Sequence, residues 1–137
     1  MSKTVVISLV LLLLMANVSV AQAPEDRGRF AAEQWIVLVD DGQYGESWKE
    51  AAKTFQDSIS GPEWEKKAAA DRERLGAKLT RKLKDVKAMN GVKGLPAGQY
   101  VQVKYQTSFA TRKLTSETVT AVLESDGTWR VAAYSIN

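Results

Sequence analysis

The sequence predicts an α+β fold in which three N-terminal helices pack on one face of a four-stranded antiparallel sheet. Apolar residues in the first half of the chain recur at three- and four-residue intervals, which is the spacing of amphipathic helices. In the second half, apolar and polar residues alternate, as they do in strands with one buried face. Because all helical segments precede all strand segments, the order favours an α+β fold over alternating βα units.

The first predicted helix covers Arg27–Asp41 and is apolar around most of its circumference. A helix of this kind is buried on more than one side. Gly42 follows as a C-terminal stop, since glycine readily adopts the left-handed conformation that ends helices. The apolar positions are Phe30, Ala31, Trp35, Ile36, Val37, Leu38 and Val39.

The second and third predicted helices each carry a capping-box sequence, in which a serine is followed three residues later by a glutamate. Ser47 and Glu50 mark the start of the second helix. Ser60 and Glu63 mark the third, with Pro62 in its first turn, where the missing N–H costs little. The expected inward faces consist of Tyr44, Trp48, Ala51, Ala52, Phe55 and Ile59 in the second helix, and of Trp64, Ala68 and Leu75 in the third.

Four strands are expected after these helices. The first is predicted around Leu79, Arg81 and Leu83, which share one face of an alternating segment. A turn-rich loop from Val86 to Pro96 follows it. The last two strands are joined by a tight hairpin at Asp126–Gly127, because Asp-Gly is a preferred hairpin sequence. The expected buried positions are Val101, Val103, Tyr105, Thr107 and Phe109 in the second strand and Val119, Ala121 and Leu123 in the third.

Residues 1–21 have the layout of a secretory signal peptide: Lys3, an apolar run from Val5 to Met15, and a stretch of small residues. The apolar run is shorter than the roughly 20 residues that a membrane span needs, so we expect no stable membrane anchor after processing. Cleavage after Ala21 is preferred to cleavage after Ala23, which would place a proline directly after the cut. Residues 22–137 are then predicted to form a single α+β domain in the periplasm or outside the cell.

The chain contains no histidine and no cysteine, which excludes most compact catalytic and metal-binding sites. Nucleophilic catalysis usually needs a base beside a serine, threonine or cysteine. Transition-metal sites rely on histidine and cysteine. We therefore expect no metal and no cofactor. Basic residues between Glu63 and Lys87 are interspersed with acidic ones, which favours a solvated helix face over a nucleic-acid site.

Asp40 is a weak candidate for a catalytic residue. The aromatic residues Trp35, Tyr44 and Trp48 are close to it in sequence, and burial among them would raise the pKa of its carboxyl group. The simpler interpretation is that Asp40 or Asp41 caps the following helix, since aspartate is a favoured N-cap. A cap role predicts a small loss of stability on replacement by asparagine, whereas a pocket role predicts lost binding with stability retained.

A binding surface is predicted on the exposed face of the sheet, next to the loop that precedes the second strand. Guanidinium and phenol groups on one face suit an anionic or carbohydrate-like ligand, or a partner protein. The structural alternative is that Arg130 pairs with Glu117 across the last hairpin and only covers the sheet. The residues assigned to this surface are Tyr100, Gln102, Lys104, Arg130 and Tyr134.

Several stretches of the chain are similar in sequence to a known protein family. They are Leu95–Val101, Glu117–Thr120 and the closing block Asp126–Ile136, together with Trp35, Leu38, Asp40, Gly42, Tyr44 and Trp48 in the helical half. On these residues the chain closely resembles the bacterial exported family called domain of unknown function 4019. One departure is Ala133, where that family often has glycine. No activity is established for the family, so the resemblance implies export and a fold rather than a chemistry.

More distantly, the closing Asp-Gly-Thr-Trp-Arg-Val strand of an α+β chain is similar to the nuclear transport factor 2-like superfamily. In that superfamily a curved sheet and its helices enclose a cone-shaped pocket, so the resemblance implies a curved, cone-like sheet here. The fold hosts isomerases, hydrolases and non-enzymatic binding modules, and it does not select among them.

The sequence therefore predicts an exported, non-enzymatic binding or interaction module whose partner is a protein or a small polar or anionic ligand. Homodimerisation through the exposed sheet face is also expected, because an open sheet with apolar residues on both sides needs cover. The alternative is a small cone-fold enzyme that uses carboxylate or tyrosine acid–base chemistry. That alternative requires a pocket in which Asp40 and a tyrosine converge.

Overall fold

The computed structural model describes residues 22–137 of the chain. The predicted signal peptide, residues 1–21, lies outside the described residues. The helices are α1 (Pro24–Asp40), α2 (Tyr44–Glu50), α3 (Lys53–Ser58) and α4 (Gly61–Leu75), and the strands are β1 (Lys78–Met89), β2 (Tyr100–Phe109), β3 (Thr115–Leu123) and β4 (Trp129–Ile136).

The four strands form one antiparallel sheet in which each strand pairs with the next along the chain, in the order β1-β2-β3-β4. Helix α1 packs against all four strands. It lies on the face that carries the inward residues of β2 and β3, and the alternation predicted for these two strands is confirmed. The predicted α+β fold with an antiparallel sheet is likewise confirmed.

The prediction of three helices is wrong, because the expected second helix is two short helices, α2 and α3. Ala51 and Ala52 separate them in extended conformation, with ψ angles of 161° and 155°. The Ala52 N–H donates to the carbonyl of Val131 at 2.8 Å, so this segment covers part of the free edge of β4. Both alanines are buried. The apolar positions of this segment therefore have helical spacing although the helix is interrupted at Ala51 and Ala52.

The two predicted capping boxes have different outcomes. Ser47 does not cap a helix, since it is buried inside α2, where its hydroxyl donates to the Tyr44 carbonyl at 2.6 Å and accepts from the Trp64 indole N–H at 2.9 Å. The box at Ser60 and Glu63 is confirmed, with both reciprocal bonds present at the start of α4. The expected buried residues of α4 are confirmed as well: Trp64, Ala68 and Leu75.

Strand β1 is longer than expected, because residues 86–89 extend the strand instead of starting the predicted loop. Its pairing with β2 shifts register at two points, one near Leu79 and one just after Leu83. A β-bulge inserts one residue and reverses the alternation of side chains. Leu79 is consequently exposed at a bulge rather than sharing a buried face, whereas Val86 packs against the main core.

An aromatic cluster fills the interior between the helices and the sheet. The Trp35 ring lies 5.8 Å from the rings of Phe55 and Trp64 and 5.3 Å from that of Tyr134, measured between centroids. These are the separations at which aromatic pairs attract one another. A second, smaller core lies on the other face of the sheet, where the loop between β1 and β2 covers Tyr100 and Val122.

Helix α1 lies close to β2 at Gly28. A Cβ atom at this position would lie 2.4–2.9 Å from the side-chain carbons of Val101, far inside van der Waals contact. The glycine therefore permits the close packing that fixes α1 across the sheet.

Candidate functional site

The structure separates the residues of the predicted binding surface. Gln102, Lys104 and Arg130 lie on the face of the sheet turned away from the helices, as the alternation of β2 and β4 requires. Tyr100 shares that face but is only 1% exposed, because the loop between β1 and β2 packs over it. Its hydroxyl donates to the carbonyl of Pro96 in this loop. Tyr100 is therefore a core residue of the outer face.

Tyr134 lies on the opposite face of the sheet from Arg130, so the expected grouping of these two residues is wrong. The register of β4 against β3 shifts at Ala132, which is the extra residue of a β-bulge. Because a bulge reverses the alternation, Tyr134 turns towards the helices and packs between Trp35 and Trp64.

Buried charged side chains lie at the end of α1, beneath Tyr134. We call this set the ion-pair network; it consists of Asp40, Arg72, Arg81 and Glu117. The Arg81 guanidinium reaches both Asp40 oxygens, at 2.6 and 3.0 Å, and its Nε lies 2.8 Å from a Glu117 oxygen. Arg72 contributes a bond of 2.9 Å to Asp40. Both carboxylates are thus held between two guanidinium groups.

Glu117 is the most deeply buried member of the ion-pair network, with no exposed side-chain surface. One carboxylate oxygen accepts from Arg81 and from the Thr107 hydroxyl. The other accepts from the Tyr134 hydroxyl and lies 3.6 Å from Arg72. A buried carboxylate is tolerated only when it is paired and hydrogen-bonded in this way.

Neither interpretation of Asp40 agrees with the structure. Gln43 is the residue that precedes α2, and no side chain caps that helix. Burial opposes ionisation of Asp40, but hydrogen bonds and charges from Arg81 and Arg72 outweigh it and lower the pKa of the carboxyl group. The expected rise in the pKa is therefore wrong, and Asp40 is an ionised partner of two arginines at neutral pH.

Tyr134 is no better suited to acid–base chemistry. Burial and the adjacent Glu117 carboxylate raise the pKa of its hydroxyl far above neutrality. The hydroxyl also donates to Glu117 and accepts from Arg72 at 3.2 Å. The structure brings Asp40 and Tyr134 to the same guanidinium, but it holds both in fixed protonation states.

Arg130 forms an ion pair, although not with the expected residue. Its Nη1 atom lies 2.7 Å from Glu124 and 3.1 Å from Asp126, at the end of the last hairpin. The expected partner, Glu117, lies on the opposite face of β3, so that pairing is wrong. The Arg130 side chain is 33% exposed, and the residue belongs to the lining of a cavity at this hairpin.

This cavity, which we call the groove, has a volume of about 740 Å³ and runs between α1, α2 and the hairpin that joins β3 to β4. Phe30, on its α1 side, is 64% exposed. Apolar and aromatic side chains that line a cavity together with a few polar groups are typical of small-molecule sites. The apolar lining includes Phe30, Ala31, Trp35, Leu38, Trp129 and Val131, and the polar lining includes Arg27, Gln34, Glu46, Glu50 and Arg130.

Trp129 has an unusual feature at the lining of the groove. Its side chain belongs to the main core and the residue is only 8% exposed. Its indole N–H is nevertheless buried with no hydrogen-bond partner among the described residues. Buried donors are normally paired, so an unpaired one beside a cavity requires an explanation.

Sequence reasoning missed most of the ion-pair network and the groove. Part of the network could have been predicted, because Arg81 and Glu117 both occupy inward positions of alternating strands. A charged side chain at such a buried position must be paired. Arg72, by contrast, lies on a helix whose other basic residues are exposed, and nothing in its sequence neighbourhood distinguishes it.

Within residues 22–137, no group of three or more acidic side chains is arranged so that it could hold a metal ion. No helix in the same part of the chain has the length and apolarity to cross a membrane.

Comparison with known protein families confirms the resemblance to domain of unknown function 4019. No curated protein matches the chain. Residues 31–134, which include the whole ion-pair network and most of the lining of the groove, match the model of the family described as "Protein of unknown function (DUF4019)". The chain belongs to the DUF4019 family.

Proposed function

We propose that this chain is an exported, non-enzymatic binding protein whose ligand occupies the groove. The observation that carries the proposal is an open cavity of about 740 Å³ that combines an apolar lining with a small number of charged groups. Pockets for small molecules typically have volumes of roughly 300–1,000 Å³ and linings of this composition.

The polar groups of the groove indicate which ligands suit it. Both ion pairs of Arg130 use its Nη1 atom, so the N–H groups on Nη2 and Nε are free of partners among the described residues. Arg27 supplies a second cation, and Glu46 with Glu50 supplies acceptors. A molecule with an apolar body and an anionic or hydroxylated end would satisfy these groups.

Export is part of this proposal and depends on residues 1–21, whose charge, apolar run and small residues have the layout of a signal peptide. The ligand would then be met in the periplasm or outside the cell. The cone-like sheet implied by the sequence resemblance belongs to the same proposal, with the groove at the open side of the cone.

Homodimerisation through the outer face of the sheet stays a prediction, but the reason for it changes. The apolar residues of that face, Tyr100 and Val122, are already covered by the loop between β1 and β2. Lys104 and Gln106 are the exposed side chains on the same face of β2. A second copy would therefore contact polar groups rather than cover apolar ones.

An acid–base enzyme is not proposed. Asp40 and Tyr134 both contact Arg72, but each is fully engaged in the ion-pair network. The lowered pKa of Asp40 and the raised pKa of Tyr134 leave neither group able to exchange protons near neutral pH.

The proposal is tested by native mass spectrometry of the protein expressed from its full-length gene and purified from the cell envelope. We expect a bound small molecule that is released on denaturation. The variant Phe30→Gln should lose this molecule, because it removes the exposed aromatic lining of the groove. Val37→Gln is the matched control, since Val37 is an exposed apolar residue of α1 that does not line the groove.

Wild-type protein that carries no small molecule, or a molecule that Phe30→Gln and Val37→Gln retain equally, would overturn the assignment of the groove. Circular dichroism of both variants establishes that a lost molecule does not result from unfolding.

A further inference from the structure

A second cavity lies beside the ion-pair network and has a different chemical character from the groove. It has a volume of about 170 Å³ and is enclosed by α4, the end of β4 and the turn between β2 and β3. We call it the basic pocket, because its charged lining consists of Lys67, Arg72, Arg74 and Arg112 against a single acid, Asp71.

Arg72 connects the basic pocket to the ion-pair network. Its side chain is only 10% exposed. A guanidinium carries five N–H donors, and here one Nη1 bond goes to Asp40 and one Nη2 bond goes to Tyr134. The other N–H groups donate to no protein atom in residues 22–137. A nearly buried cation with unused donors therefore lines a cavity that can hold an acceptor.

The charges around the basic pocket do not cancel. The cations of the pocket and the ion-pair network are Lys67, Arg72, Arg74, Lys78, Arg81 and Arg112, and the anions are Asp40, Asp71 and Glu117. The cations exceed the anions by three. This excess of positive charge, concentrated at one cavity, favours a negatively charged occupant.

The turn between β2 and β3 fixes Arg112 at the pocket. The Thr111 hydroxyl donates to the carbonyls of Arg74 and Leu75 at 2.8 and 2.9 Å, and the Thr111 N–H donates to Leu75 at 3.1 Å. These bonds occupy carbonyls at the C-terminal end of α4, whose partial negative charge would otherwise oppose an anion. The adjacent Arg112 carries its charge to the rim of the pocket.

We propose that the basic pocket is a binding site for a small oxyanion, a phosphate or carboxylate group, which accepts hydrogen bonds from Arg72 and is flanked by Arg112. Charge-assisted hydrogen bonds from a guanidinium to such groups are among the strongest in proteins. A water molecule occupies about 30 Å³ of liquid, so the pocket has room for one such group and a few waters. This site is separate from the groove and shares no lining residue with it.

The test is a titration of sodium phosphate and, separately, sodium acetate into the protein expressed from its full-length gene, at low ionic strength and followed by NMR. We expect saturable shifts of the Arg72 side-chain N–H signal and of the amides around Arg112. Arg112→Gln should weaken binding by about tenfold, the effect of one charge-assisted contact. Arg29→Gln is the matched control, because Arg29 is an exposed arginine of α1 outside the pocket.

Saturation by phosphate alone would assign the site to phosphate groups, and saturation by acetate alone would assign it to carboxylates. Either result, or saturation by both anions, supports the proposal. Absence of saturation with either anion would overturn it. An equal loss of affinity in Arg29→Gln and Arg112→Gln would also overturn it, since that result describes general charge attraction. Arg74→Gln, at a second exposed cation of the pocket, should also weaken anion binding, and Val37→Gln, outside both cavities, should leave anion affinity unchanged.

Discussion

The ion-pair network and the groove differ in how completely their polar groups are used. In the network, every oxygen of Asp40 and Glu117 accepts at least one hydrogen bond. At the groove, by contrast, Arg130 uses only one of its three nitrogens. Buried carboxylates stabilise a fold only when they are paired in this way, whereas unused N–H groups, on Arg130 here and on Arg72 beside the basic pocket, are what a ligand can exploit.

The largest expected effect tests the structural role of the network. Glu117→Gln removes the carboxylate that holds Arg81 and faces Arg72, which leaves buried positive charge uncompensated. Breaking one partner of a buried pair typically costs about 3–5 kcal/mol. Urea unfolding at pH 7 should show a decrease of this size in the free energy of unfolding. A decrease of only about 0–1 kcal/mol, as for a surface ion pair, would contradict the structural role of the ion-pair network.

Asp40→Asn should cost less and should do so in a pH-dependent way. The variant loses charge-assisted hydrogen bonds worth about 1.5–3 kcal/mol at pH 7. Because the pKa of Asp40 is lowered in the folded protein, its contribution is fully present above the pKa of the unfolded chain and is lost as the pH falls through the folded-state pKa.

Unfolding of the wild type and of Asp40→Asn should therefore be compared over a pH series. The difference in the free energy of unfolding should be constant around neutrality and should shrink as the pH falls below about 4, where aspartate side chains titrate. A difference that grows on acidification would contradict the lowered pKa.

Gly28→Ala tests the helix that both regions share, because α1 carries Phe30 into the groove and Asp40 into the network. The added methyl group would overlap the Val101 side chain. Overpacking of this kind costs about 1–3 kcal/mol. Val101→Ala in the same protein should recover part of the loss, and Gly91→Ala, at a glycine with open space around it, should have almost no effect.

The smallest expected effect on stability comes from Arg130→Gln. The ion pairs of Arg130 are partly exposed, and such pairs contribute only about 0–1 kcal/mol. If the groove binds a ligand through this guanidinium, the variant should lose bound ligand while its unfolding transition hardly moves. A large loss of stability would instead make Arg130 a structural residue.

The sequence predicted the fold class and the faces of β2 and β3, because alternation of apolar residues directly reflects burial. It could not predict where the alternation is interrupted. The bulge at Ala132 has no glycine or proline to mark it, yet it decides that Tyr134 and Arg130 face opposite ways. The break at Ala51 and Ala52 was equally hidden, since both residues favour helices and the break depends on a hydrogen bond to β4.

The candidate sites were harder to predict than the fold. Asp40 and Tyr134 were correctly singled out as unusual, but the partners that fix their protonation come from α4, β1 and β3, distant in the sequence. The groove depends on the packing of α1 and α2 against a hairpin, which local sequence patterns do not describe.

The central claim is that the ion-pair network stabilises the fold while the groove binds the ligand. The most direct measurement determines both properties, the free energy of unfolding and the amount of bound small molecule, for Phe30→Gln and Asp40→Asn side by side. We expect Phe30→Gln to lose the molecule with stability retained, and Asp40→Asn to lose stability while the folded protein still carries the molecule. Loss of the molecule from folded Asp40→Asn, with Phe30→Gln unaffected, would contradict the account.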